Sequence, residues 1–214
     1  AGLRSSPRAP VQGTQARQAV RLADAALQRL GAQVKDCITT GFLSTEGGKD
    51  LTLLRFARLC FEQGPRAAQM LGNPDVAAAF ALARAVSNEA CKCIEFIRFE
   101  QRDDMLGAVI HPKNYILPLL RPHFCGRFPE EDFMIYDAVH QAVLLHEGHK
   151  TQLLELAAPL ELPPPSEREQ QFQALWTQFY KTLEIKARHN EKGRMTHCPK
   201  RFWADMTEMK EELE

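Results

Sequence analysis

Residues 94–112 read IEFIRFEQRDDMLGAVIHP, and this stretch decides the fold class. Within it the apolar period shortens to two. Ile94, Phe96 and Arg98 alternate with Glu95, Ile97 and Phe99, and the aromatic and β-branched content predicts a strand over 94–101. MLGAVIHP at 105–112 predicts a second strand, joined to the first by a polar turn at Arg102-Asp103-Asp104. The pair is a β-hairpin. Downstream, Asn114 is expected to cap a helix through YILPLLRPHFCGRF (115–128), kinked by Pro118 and Pro122. FMIYDAV (133–139) and QAVLLHEG (141–148) predict two more strands, and KTQLLEL (150–156) a fifth. The middle of the chain therefore reads as an antiparallel β-β-α-β-β unit.

Upstream of this unit the pattern is helical. Ala19, Leu22, Ala23, Ala26, Leu27 and Leu30 follow helical spacing across 15–34, with Gly31 weakening the end of the run. Residues 39–50 hold Gly41, Gly47 and Gly48 and read as a loop, after which Asp50 caps a helix over 51–62. Gln63-Gly64-Pro65 stops that helix, and Pro65 opens a short third one. Asn73-Pro74-Asp75 marks the clearest helix start: Asn accepts from free amides, Pro fits the first turn, and Asp favours the positive end of the dipole. The Ala-rich run that follows is predicted helical to about Lys92.

Downstream, three consecutive prolines lie in a linker, and Ser166 with Glu169 forms a capping box. The next helix carries Phe172, Leu175, Trp176, Phe179, Tyr180, Leu183 and Ile185 at helical spacing, which predicts one broad buried face. A last short helix starts at Pro199. The expected architecture is α+β, with N-terminal helices, the central unit, and C-terminal helices packed on it. Its divisions are a flexible arm at 1–14, the helical and β-β-α-β-β core at 15–156, a Pro-rich linker at 157–168, and a C-terminal helical segment of the same domain at 169–214.

The chain has 214 residues, 44% of them hydrophobic, enough to bury a sizeable core. Lys and Arg number 27, as do Asp and Glu, so any attraction to DNA or anionic lipid must come from local clustering. No apolar run is long enough to cross a bilayer, and the first residues lack the apolar region of a secretory signal. A cytoplasmic protein without a membrane partner is expected. The six cysteines sit mostly in apolar segments and read as reduced thiols.

No Gly-rich phosphate loop, GxSxG, HExxH or paired CxxC occurs, so no catalytic residue, cofactor or metal is assigned. Cys91 and Cys93 form a CxC pair that would need partners among His123, Cys125, His197 and Cys198 to hold an ion; otherwise they are small residues at a helix end. His123 and Arg127 end the central helix, where they can hold an anion or complement the dipole.

Residues 186–203, KARHNEKGRMTHCPKRFW, differ in kind. Lys186, Arg188, Lys192, Arg194, Lys200 and Arg201 face one acid, Glu191. Asn190 can read a base edge, and Phe202 and Trp203 can stack or pack. Cations give salt-sensitive phosphate affinity and aromatic rings stack on bases. The candidate nucleic-acid-binding residues are Arg188, Asn190, Lys192, Arg194, Lys200, Arg201 and Trp203, with Arg98, His123 and Arg127 as contributors. The competing expectation is a solvated basic turn paired with the acidic tail of Asp205, Glu208, Glu211, Glu212 and Glu214, in which Pro199, Phe202 and Trp203 anchor the last helix.

The run RHNEKGRMTHCPKRFWADMTEM (188–209) resembles the C-terminal signature of a bacterial family described as probable DNA metabolism proteins. Arg188, Asn190, Pro199, Lys200, Arg201, Trp203 and Glu208 match that signature. FIRF (96–99), LLRPHFCGRF (119–128) and IYDAV (135–139) are similar to the family as well. The resemblance spans nearly all of 15–210. It implies a role in DNA repair or modification, beside a radical-SAM-like protein or fused to a uracil-DNA-glycosylase-like domain. Four positions depart from the family pattern: Cys198 stands where Met is usual, Thr196 near a Gln, Asn114 where His is expected, and His140 where Arg is expected. The family also begins with a further segment before residue 15, so a trimmed or divergent chain is expected. Three functions follow: an accessory domain binding DNA or a repair partner through the basic segment, an enzyme acting on a nucleobase or nucleotide with His123, His197 or Asp137 as acid–base groups, or a docking module for the radical-SAM-like or glycosylase-like partner.

Overall fold

A computed structural model describes residues 28–212. The arm at 1–14 and most of the first predicted helix lie outside the described residues. The fold is α+β, and the chain forms two compact units.

The first unit comprises the described residues up to Phe42 together with 48–83. Gly31 takes a positive φ of 85° and separates the preceding turn from α1 (Ala32–Phe42). That helix runs through the expected loop at 39–42. Gly41 acts there as a packing residue rather than a breaker: it is buried, and a Cβ on it would stand 2.9 Å from Leu53 Cδ2. The second helix, α2 (Lys49–Gln63), starts two residues earlier than predicted, after Gly48 in the left-handed region at φ 82°, so Asp50 lies in its first turn and is not its cap. A 3-10 turn covers Pro65–Gln69. The core of this unit is Val34, Cys37, Leu53, Phe56, Cys60 and Val76, with Phe56 and Phe80 edge to face at 5.8 Å.

The helix α3 (Pro74–Phe96) opens as the sequence indicates, with Asn73 Oδ1 accepting from the Asp75 and Val76 amides. It runs past Lys92 and takes up the first three residues of the first predicted strand, Ile94 to Phe96. Ala90, Cys93, Ile94 and Ile97 all pack on one core, which is i, i+3, i+4, i+7 spacing. Their helical period overrides the alternation read over 94–99. Arg98 closes the helix, its Nη1 donating to the Phe96 and Ile97 carbonyls.

The second unit comprises 43–47 and 84–214. Its sheet has strands β1 (Glu100–Arg102), β2 (Met105–Ile110), β3 (Phe133–Asp137), β4 (Ala142–Glu147) and β5 (Lys150–Glu155), in that spatial order. The hairpin, the third and fourth strands and the fifth are all present. The sheet is mixed, however, and not wholly antiparallel: β2 and β3 run parallel, from Leu106 opposite Phe133 to Ile110 opposite Asp137. Between them α4 (Leu117–Arg127) carries the chain back, so β3 re-enters in the direction of β2. Asn114 does not cap α4; Ile116 holds the N-cap position and the Asn114 side chain is buried. Pro118 falls in the first turn, where its missing N–H costs nothing. Ile110, Ile116, Leu120, Phe124, Phe133 and Leu144 form the core, and Phe99 meets Phe124, Phe128 and Phe133 edge to face.

After the Pro-rich segment, Ser166 Oγ accepts from the Glu169 amide and starts α5 (Glu167–Leu183). The capping box is half made, because the Glu169 carboxylate accepts from the Gln101 amide instead. The predicted broad buried face of α5 is not observed. None of its residues is buried, and Phe172, Leu175, Phe179 and Leu183 are exposed. Tyr180 packs on the C-terminal core, Trp176 Nε1 donates to Glu208, and Phe172 and Trp176 line an open cleft with Arg98, Phe99 and Thr207, so periodicity defined a face that its neighbours approach without burying. The chain then forms a 3-10 turn (Lys186–Arg188), α6 (Glu191–His197) and two 3-10 stretches, Lys200–Asp205 and Thr207–Glu212. Among the described residues no helix is long and apolar enough to cross a membrane.

Candidate nucleic-acid interface

The basic segment is built on one buried ring. Pro199, at φ −59° and ψ 140°, turns the chain into the 3-10 stretch Lys200–Asp205 and brings Trp203 inward. Trp203 is 1% exposed, and its Nε1 donates to the Cys198 carbonyl at 2.9 Å. Cys198, Phe202, Met206 and Met209 complete a small core, which Phe96 joins through ring contact with Phe202 at 5.5 Å. Trp203 therefore cannot stack on a base from solvent, which corrects its place among the binding residues. Its face instead carries cations: the Arg194 guanidinium lies 4.7 Å and Lys200 Nζ 5.3 Å from the ring centroid. Arg201 lies over Phe202 at 4.7 Å and reaches Glu89 Oε1 at 3.3 Å.

Asn190 has a structural duty. It is the N-cap of α6, with Oδ1 accepting from the Gly193 amide at 2.9 Å. Gly193 permits that approach, since a Cβ there would meet Asn190 Nδ2 at 2.9 Å. The acceptor oxygen of Asn190 is thus committed to the backbone rather than to a base edge. Arg188 and Lys192 are exposed and make no ion pair among the described residues, and Lys200 is exposed above the Trp203 ring. An open groove between the end of α5 and α6 is lined by Tyr180, Leu183, Glu184, Arg188, His189 and Arg194, with His189 Nδ1 2.5 Å from Glu184 Oε1.

The predicted contributors lie elsewhere. Arg98 is spent: its Nη2 and Nε meet both Glu208 oxygens, at 2.6 and 3.3 Å. His123 and Arg127 are exposed on α4, which packs across β4 and β5, and their contacts are to Phe124 and Phe128. They do not join the basic segment.

The described acids of the tail have other partners too. Asp205 takes His111, with Oδ1 2.7 Å from Nδ1 and Oδ2 accepting the His111 amide. Glu208 is buried and also accepts from Trp176 Nε1 at 3.0 Å. Burial alone would raise the Glu208 carboxyl; the Arg98 hydrogen bonds, backbone donation and Trp176 outweigh it and hold the group below its ordinary value. The cations of the segment are accordingly not neutralised by Asp205 or Glu208.

Two polar sites lie at the ends of the parallel strands; the first was not legible in the sequence, and of the second only Asp137 was named, as an acid–base candidate. Glu89, buried on α3, accepts from the Lys113 amide at 3.0 Å and from the Asn114 amide and Nδ2 at 2.8 and 2.7 Å. Asn114 Oδ1 in turn accepts from the Thr45 amide. Glu89 stood alone in an Ala-rich helix, and only its isolation on an apolar stripe could have signalled it. At the end of β3, Asp137 is wholly buried; it accepts from the Val139 and His140 amides, and its Oδ2 lies 2.7 Å from His140 Nδ1. Burial pushes the Asp137 carboxyl up, against the lowering effect of the His140 contacts. Asp137, His123 and His197 do not converge: the first is enclosed by its own turn, and the two histidines are exposed on different helices.

Cys91 is exposed and Cys93 buried, so the CxC pair presents its sulfurs to different surroundings. Burial first, then the charges of Asp205, Glu89 and Asp137, pushes the Cys93 thiol up to about 12. Among the described residues no three His, Cys, Asp or Glu side chains are grouped to hold a metal ion.

A family model described as a domain of unknown function, DUF4130, matches residues 48–208, most of the chain. The chain belongs to the DUF4130 family. The matched span takes in α2, the whole sheet, α5 and the basic segment with its Trp203 anchor. No curated protein and no solved structure matches this DUF4130 chain.

Proposed function

We propose that this DUF4130 domain is an accessory module of DNA metabolism that binds DNA through its basic C-terminal segment. The observation that supports the reading is the exposure of Arg188, Lys192 and Lys200 along one stretch of chain, with Arg188 lining the groove at the end of α5, while Asp205 and Glu208 are engaged by His111 and Arg98. Exposed cations that make no ion pair, as Arg188 and Lys192 are among the described residues, attract phosphates by releasing their counterions. The similarity of residues 188–209 to the signature of DNA metabolism proteins points the same way, and repair or modification is the context it implies. A radical-SAM-like or glycosylase-like protein is the partner that resemblance suggests. Catalysis on a base has no such support, because Asp137, His123 and His197 lie in separate surroundings.

The test uses exposed cations that make no ion pair among the described residues; of them only Lys200 touches the Trp203 ring, over its face. Arg194 supports the Trp203 ring and Arg201 reaches Glu89, so their loss would disturb the fold. The Arg188→Ala/Lys192→Ala/Lys200→Ala variant keeps the buried ring. Fluorescence anisotropy of a labelled oligonucleotide at low salt should show binding at least tenfold weaker than wild type. The slope of log K against log salt should fall by about 2, from ~0.7 per lost single-strand phosphate contact. Equal affinity and slope in the two proteins would remove the basic segment from the interface.

A further inference from the structure

The basic groove explains where phosphates would lie, but it leaves the exposed rings of α5, which border an open cleft with Phe99 and Thr207, without a role. That face carries Phe172, Trp176 and Phe179, which are 54%, 42% and 53% exposed, followed by Leu183. Their i, i+4, i+7, i+11 spacing sets them in one row, and eleven residues of helix extend about 16 Å. Trp176 and Phe179 already lie ring on ring at 5.9 Å and 33°. At one end of the row the exposed Arg168 guanidinium lies 5.6 Å from the Phe172 centroid. At the other, Leu183 and Tyr180 form the wall of the groove that holds Arg188 and Arg194. The ring row thus runs from Arg168 to the groove at Arg188 without a break in the chain, with Glu169 beside Phe172 and Glu184 in the groove lining. An exposed aromatic patch of this size on a helix marks a recognition surface.

Resting on the DNA-binding reading above, we infer that the DNA form this domain takes is single-stranded, with unpaired bases stacked along Phe172, Trp176 and Phe179 and the following phosphates in the groove at Arg188 and at Lys192, which lies in sequence between the groove residues Asn190 and Gly193. Duplex DNA presents phosphates and groove edges and keeps its base faces stacked inside, so it would leave the rings against charge. A single strand offers both surfaces that α5 and the basic segment display: π faces for the rings and a phosphate every residue for the cations. A protein partner docked on the apolar row would use the rings and leave the flanking Arg168, Arg188 and Lys192 without counterparts. The assignment also moves the stacking role from Trp203, which is buried, to Trp176, which is not.

The test takes the full chain and titrates it with an oligothymidine single strand and with a duplex of the same length. The single strand should bind at least tenfold more tightly and should quench tryptophan emission, because Trp176 is open to a base and Trp203 is enclosed. Trp176→Phe should abolish most of the quench while changing affinity by no more than a few-fold. Phe172→Ala/Phe179→Ala should weaken the single strand by about tenfold or more, the loss of one to two stacked bases, and leave the salt slope unchanged. Both side chains are exposed, and circular dichroism confirms that the variant is folded. If the duplex binds as tightly as the single strand, or if the ring variant binds oligothymidine like wild type, the inference fails; the DNA-binding reading still stands provided the Arg188/Lys192/Lys200 variant is weak. Binding of neither nucleic acid overturns both. A wild type that is dimeric, that oligothymidine does not dissociate, and that the ring variant turns monomeric would assign the face to a second copy of the chain and overturn the inference.

Discussion

The two tryptophans of this chain occupy regions that reverse each other's pattern. Trp176 lies on α5, a regular helix whose apolar residues recur at helical spacing, yet it is 42% exposed. Trp203 lies in an irregular 3-10 stretch between charged residues, Lys200-Arg201 before it and Asp205 after it, yet it is among the most enclosed side chains. Periodicity reports that a helix has an apolar face; it does not report that anything covers the face. Burial of an isolated ring depends on local chain direction, here set by Pro199 and secured by the bond from Trp203 Nε1 to the Cys198 carbonyl. The difference separates a structural ring from one that is open to a ligand.

The largest expected effect tests the buried side of this contrast. Trp203→Ala removes the platform under Arg194 and Lys200 and the centre of the Cys198, Phe202, Met206 and Met209 cluster. Urea denaturation should show a loss of about 3–5 kcal/mol, typical of a large buried aromatic ring. Trp176→Ala should cost about 1 kcal/mol, the hydrogen bond to Glu208 and little else. Equal losses at the two positions would end the distinction.

An intermediate effect concerns the acid that joins the two regions. Glu208 accepts from Arg98 on the α3 side and from Trp176 on α5. Its carboxyl titrates below the ordinary 4.5, so its contribution is complete above that pH and is lost as pH falls through the lowered folded value. Stability measured between pH 7 and 3 should therefore decline for wild type on the acid side. Glu208→Gln should be less stable at neutral pH by about 2–3 kcal/mol, since it leaves a part-buried Arg98 without its charge partner. The gap between the two proteins should close as pH falls below 4. A gap that is constant with pH would mean that the Glu208 charge plays no part in holding the C-terminal segment.

Much of the central fold was readable because several signals agreed. Asn73-Pro74-Asp75 announced α3, the two turn-bounded runs after Phe128 announced β3 and β4, and Ser166 announced α5. The misreadings came where two signals occupied one stretch. Over 94–99 both a period of two and a helical period fit, and contacts of Ile94 and Ile97 with the core decided for helix. The parallel pairing of β2 and β3 depends on where α4 returns the chain, a long-range property with no local marker. At the basic segment the cations were legible as a cluster. Their division into free charges and ring supports was not, because it depends on which side of a 3-10 turn each side chain leaves. Glu89 was invisible, and Asp137 was named only as an acid–base candidate, for the same reason: their roles are defined by amides of distant or adjacent loops, not by residue spacing.

The smallest expected effect tests the exposed side of the contrast and is the most informative for α5. Leu175 is 65% exposed and Leu183 62% exposed on the face the sequence assigned to the core. Gln has nearly the helix propensity of Leu, so Leu175→Gln/Leu183→Gln alters the apolar face without weakening the helix itself. If no other surface covers that face, the midpoint of urea unfolding should move by no more than about 0.5 kcal/mol in free energy, the range for exposed substitutions. A covered face would behave differently: two buried leucines replaced by amides should cost several kcal/mol, through lost apolar burial and amides left without partners. Repeating the comparison at tenfold higher protein concentration separates the two ways of covering it. A cost that grows with concentration belongs to an interface between copies, because association stabilises wild type by mass action, and a cost that does not belongs within the chain. A negligible cost at both concentrations keeps α5 as an open ring-bearing face, the condition that its use for single-stranded DNA requires.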